Sequence, residues 1–207
     1  MNLLRPATVV VALMLGQGLA FAASANEAGD QVFADRAPWT LDQGPLVWRL
    51  TVEGPASESF RPIENGTIEL VRAVDPADGK PMLQILEKGG PIDRKLGPFP
   101  VDGGDPTVVF FLENVARDMA AITGGSPYYI RNRMKDALFR GGELRKEGGQ
   151  TLAVFQPFRE DKNKDRMGEF AQLELVFTLA DPKAPIKSMV ASTGGDKPTF
   201  RIAMVQP

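Results

Sequence analysis

The chain has no cysteine and no histidine. Without a thiol there is no disulfide, no thiolate nucleophile, no iron-sulfur cluster and no covalently attached c-type haem. Without an imidazole there is no serine-histidine-aspartate triad, no histidine general base and no standard zinc or copper site. The chemistry left to a catalyst is carboxylate pairs, a serine-lysine pair or tyrosine. The expectation is therefore a protein that binds and does not catalyse, with no catalytic residue, metal or cofactor assigned.

Long apolar runs are also scarce. The one stretch of that kind lies at the start, "MNLLRPATVVVALMLGQGLAFAASA", with Arg5 ahead of an apolar run from Ala7 to about Leu19. Small-residue cleavage patterns follow, ending at Ala22 and Ala25. The run is shorter than the roughly 20 residues of a membrane span, so residues 1–25 read as a bacterial signal peptide cleaved near Ala22 or Ala25. The expected location is the periplasm, without a permanent membrane anchor. Removing residues 1–25 takes away Arg5 and no acid, leaving a net charge of about −3. Nucleic acid is not an expected partner.

What is present alternates between two periods. "PLVWRLTVEG" sets Leu46, Trp48, Leu50 and Val52 on one side of an extended chain. "GTIELVRAVD" and "KPMLQILEKGG" follow as a hairpin about the turn "DPADGK". From Pro106 the period changes: Val108, Phe111, Leu112, Val115, Met119 and Ile122 recur at helical steps. Asp105 is placed to cap this helix, Pro106 to open it and Gly124 to stop it near residue 123. Ser126 and Pro127 open a second helix, carrying Ile130, Met134, Ala137 and Leu138 to a stop at Gly141. Period two then returns in four segments between residues 150 and 206, joined by short turns.

These elements predict one α+β domain over residues 26–207. Its core is a curled, mainly antiparallel sheet of about seven strands. A helical hairpin, 106–140, is inserted after the third strand and packed on the concave face, and a β-meander, 150–206, closes the chain. The outer-membrane lipoprotein carriers share this plan as architecture alone, since no residue motif of that family occurs here.

Two candidate sites follow. The first is a helix start for an anionic group, built from Gly125, Ser126, Tyr128, Arg131 and Arg133. Its plain alternative is an amphipathic helix with a solvated basic face. The second is an apolar pocket between helix and sheet, lined by Val108, Phe111, Val115, Ile130 and Leu175. Asp161, Asn163 and Asp165 fall at the first, third and fifth places of a calcium loop. Arg166 and Gln172 stand where that loop requires Gly and Glu, so calcium is rejected. Lys187 and Ser188 are neighbours on an expected strand, pointing to opposite faces, and make no dyad. Glu53, Glu69 and Glu87 are placed on outward strand faces. The expected function is a carrier for a hydrophobic or amphipathic small molecule or lipid, including lipoprotein-like cargo. The alternative is an accessory or scaffold subunit binding another periplasmic protein.

Overall fold

The computed structural model describes residues 27–37, 39, 41–181, 183–195 and 197–207. The segment read as a signal peptide lies outside them. In chain order the elements are α1 Glu27–Val32, β1 Leu46–Glu53, β2 Ile63–Val74, β3 Pro81–Lys88, β4 Arg94–Pro100, α2 Pro106–Thr123, α3 Pro127–Arg140, β5 Glu143–Glu147, β6 Gln150–Phe155, β7 Glu174–Leu179, β8 Ser188–Ser192 and β9 Arg201–Val205. Among the described residues no helix is long and apolar enough to cross a membrane.

All nine strands form one open antiparallel sheet in the order β4-β3-β2-β1-β9-β8-β7-β6-β5. Two meanders are therefore joined where the first strand pairs with the last, Leu50 opposite Met204 and Val52 opposite Ile202. The expectation of about seven strands is corrected to nine, and four strands instead of three precede the helical hairpin. The two unforeseen strands, β4 and β5, are the two edges of the sheet. Their sequences, "RKLGPFP" and "ELRKE", carry charge and proline, and neither strand buries a single residue fully. An edge built to resist pairing with another chain loses the apolar alternation by which strands are recognised. The short α1 was not foreseen either, because six residues carry too little periodicity.

Side chains of one sheet face line up in register. Gly66, Leu50, Met204, Met189, Phe177 and Ala153 form a row across β2, β1, β9, β8, β7 and β6. Val52, Ile202, Ala191, Leu175 and Phe155 form the next. The stripe of α2 covers these rows: the Phe111 ring meets Phe177 edge-on at 5.8 Å, and Phe155 meets Phe177 at 5.9 Å. Each large side chain buried this way stabilises the fold by about 1.5–3 kcal/mol. Trp48 is wholly buried, and its indole N–H donates to the Ile186 carbonyl at 2.9 Å.

The helix limits match the sequence reading because the capping chemistry is local. The Asp105 carboxylate accepts from the Thr107 N–H at 2.9 Å, and Gly124, at φ 68°, takes the left-handed stop. Ser126 accepts from the Tyr129 N–H at 3.4 Å.

The lead-in after α1 is fixed by burial of Trp39 and Leu41 and by the hydrogen bonds of one arginine. Arg36 donates from its guanidinium to the carbonyls of Val32, Ala34, Gln31 and Ala184 at 2.8–3.0 Å. Its Nε also stands 3.9 Å from Asp105 Oδ2, with both side chains almost wholly buried. Burial raises the Asp105 carboxyl above its ordinary range, against the pull of Thr107 and Arg36. Arg36 thus ties the lead-in to the start of α2.

Candidate functional site

Val108, Phe111, Val115, Ile130 and Leu175 all lie in the packed core, the most exposed of them at 3%. Phe111 meets Phe177 of β7 across the helix–sheet interface, and none of the five residues lines any of the surface clefts described below. The stripe that suggested a pocket wall is the same stripe that packs the helix.

The residues of the second helix's start are brought together, but the cations have partners within the chain. Arg131 holds Glu113 of α2 through both carboxylate oxygens. Arg133 places Nε 2.7 Å from Asp161 Oδ2 and Nη1 3.3 Å from Asp136. Ser126 caps its own helix, Gly125 donates to the Thr123 hydroxyl, and Tyr128 is exposed. Tyr129 is turned inward: its hydroxyl donates to Asp161 at 2.8 Å and accepts from Asn163 Nδ2 at 2.9 Å. Burial acts to raise the Asp161 carboxyl. The Asn163 N–H, the Tyr129 hydroxyl and Arg133 outweigh it and hold the group below the usual range. Asp161 and Asn163, weighed above as ion ligands, instead pin the loop before β7 onto α3. Arg133 also borders a cleft of about 470 Å3 with Arg140, Arg145 and Arg159, among which stand Asp136, Glu143 and Glu160.

The most apolar cleft lies at one end of the sheet. About 570 Å3 in volume, it is walled by Trp39 and Leu41 of the lead-in, Val74, Met82 and Leu83 of β2 and β3, and Val101 after β4. Arg72 and Asp102 stand at its border. Trp39, Leu41 and Leu83 are buried, while Val74 is 66% and Val101 37% exposed. Its volume falls within the range of small-molecule clefts, and its lining is mostly apolar. The lead-in that Arg36 anchors supplies one wall.

Another cleft, about 480 Å3, opens between α2 and the first meander. Leu50, Val52, Phe60, Ile63 and Ile202 give it an apolar floor. Its wall is polar: Arg94 pairs with Glu87, and both Arg94 and Arg117 donate to the side-chain oxygen of Asn114. Asn114 is fixed in turn by its Nδ2 donating to the Phe110 carbonyl at 3.0 Å. The Arg94 guanidinium lies 5.8 Å from the centre of the Phe110 ring. Glu87, expected on an outward face, is corrected to an inward one: it is 4% exposed, in phase with Leu83 and Ile85. Asp118 completes the wall, and burial pushes its carboxyl up to about 6, Arg117 and Arg94 opposing and Glu87 adding to the rise.

Sequence reasoning missed Trp39, Leu41, Glu87, Arg94, Asn114 and Asp118. For Glu87 the signal was present, since it shares the parity of Leu83 and Ile85 along β3. For Trp39 and Leu41 the only signal was two large apolar residues in an aperiodic segment. No arrangement of three or more metal-ligating acids occurs among the described residues. Compared with protein-family models, with curated proteins and with solved structures, the chain matches none.

Proposed function

We propose that the mature protein is a non-enzymatic periplasmic binding or carrier protein for a hydrophobic or amphipathic ligand, with the helical hairpin occupying the concave side of the curled sheet. The observation that carries this reading is the apolar cleft of about 570 Å3 between the lead-in and the ends of β2 and β3. Burying a hydrocarbon chain against Trp39, Leu41 and Met82 gains about 0.8 kcal/mol per methylene, while the border cation Arg72 is paired with Asp42.

The chain contains its own reporter. Of its two tryptophans, Trp39 lines the cleft and Trp48 is sealed in the core. In a Trp48→Phe background, an apolar dye or fatty alcohol is expected to shift the Trp39 emission, and Met82→Glu is expected to abolish the shift without lowering the melting temperature. Emission unmoved by any apolar probe would contradict the proposal.

The second reading, an accessory subunit, is favoured by one observation. Phe33 and Phe139 stack at 5.2 Å while remaining 39% and 57% exposed. Exposed aromatic pairs of this kind suit a protein partner. Cross-linking in the periplasm from position 139 is expected to trap another protein if this reading holds, and nothing if it does not.

A further inference from the structure

The cleft between α2 and the first meander sets Arg117 and Asp118, adjacent on α2 and neither in an ion pair among the described residues, over an apolar floor. Arg117 donates to the neutral oxygen of Asn114 and makes no ion pair among the described residues. Its neighbour Asp118 makes neither a hydrogen bond nor an ion pair there, is half-buried, and has Arg117 and Arg94 as nearby cations. Elsewhere in this wall opposite charges are matched, Arg94 by Glu87. A half-buried carboxyl without a donor is costly, which is why its proton is held so tightly. A bound group that brings a donor or cation to Asp118 gives that half-buried carboxyl a partner, and its acceptor or anion meets the exposed Arg117 beside it.

The remaining charges define the shape of such a ligand. Glu58 and Arg61 stand exposed at the rim, so the cleft has three cations and three acids and no net preference for an anion or a cation. Its floor of Leu50, Val52, Phe60, Ile63 and Ile202 favours an apolar body. We infer that this cleft binds a small zwitterion with an apolar side chain, of the class of the apolar α-amino acids, its carboxylate on Arg117 and its ammonium on Asp118. The cleft is separate from the one walled by Trp39, so the inference does not rest on the carrier reading.

The test is calorimetric titration of the mature protein with phenylalanine, N-acetylphenylalanine and phenylalanine amide, which keep both charges, the anion alone and the cation alone. Phenylalanine is expected to bind at least about tenfold more tightly than either derivative. Arg117→Gln should weaken phenylalanine about tenfold and leave the amide unchanged, and Asp118→Asn should weaken phenylalanine similarly and leave the N-acetyl compound unchanged. Both side chains lie on the outer wall of α2, and thermal melts of the two variants verify that they fold. Met82→Glu, in the other cleft, should have no effect. Absence of phenylalanine binding up to about 10 mM, equal binding of all three compounds, variant effects that ignore the missing charge, or loss of binding in Met82→Glu each overturns the inference.

Discussion

Asp118 shows how one residue can set a pH dependence. Its carboxyl, raised to about 6, holds a proton more tightly in the native chain than in the unfolded one. Its contribution to stability is therefore fully present below about pH 4 and is lost as pH rises through 6. Asp118→Asn is expected to leave the urea midpoint at pH 3.5 nearly unchanged and to raise stability at pH 7, by at most about 3 kcal/mol. Equal effects at both pH values would contradict this assignment. Gly142 is constrained by packing: at φ 153° an added Cβ would run into the Phe155 ring and come within 2.9 Å of Ala28. Gly142→Ala is expected to destabilise by about 1–3 kcal/mol in a denaturant melt. At this scale the sequence was legible wherever a residue acts on its near neighbours in the chain, as Asp105, Gly124 and Ser126 do. It was not legible for the pairing of Arg131 with Glu113 on another helix, nor for that of Arg133 with Asp161 in a later loop, although Arg133 also meets Asp136 on its own helix.

Among elements, α2 and α3 were legible because caps and stripes are local, and the central strands because one face of each is buried. The edges β4 and β5 were not, since charge and proline that keep an edge from pairing also erase its pattern. The lead-in was opaque for a different reason: it has no period, and it is held by the polar hub of Arg36 together with the burial of Trp39 and Leu41. Arg36→Gln should leave up to four carbonyls without their donor and cost about 2–4 kcal/mol, read as a fall in denaturant midpoint. The same variant should weaken binding in the apolar cleft, because Trp39 and Leu41 lose their anchor. The loop before β7 is tied down by Tyr129. Tyr129→Phe is expected to cost about 1–2 kcal/mol. It should also move the Asp161 carboxyl back toward its ordinary range, so that stability is lost at a higher pH on acidification, measurable by NMR titration.

For the whole molecule, the fold class followed from the order of periods in the chain, strands then helices then strands. The pairing of β1 with β9, which turns two meanders into one sheet, could not be read there, because nothing local distinguishes that contact from a gap between two smaller sheets. The residues expected to line an apolar pocket at the helix–sheet interior, Val108, Phe111, Val115, Ile130 and Leu175, are almost wholly buried, while the clefts described above open elsewhere. That shift relocates the proposed binding site without changing the class of ligand proposed. The most direct measurement is native mass spectrometry of the mature protein, purified gently from the cells that make it, followed by solvent extraction. The account predicts one stoichiometric apolar or amphipathic molecule, retained by the wild type and lost in Met82→Glu. A bare chain in both, or a chain recovered only with another protein, would contradict it.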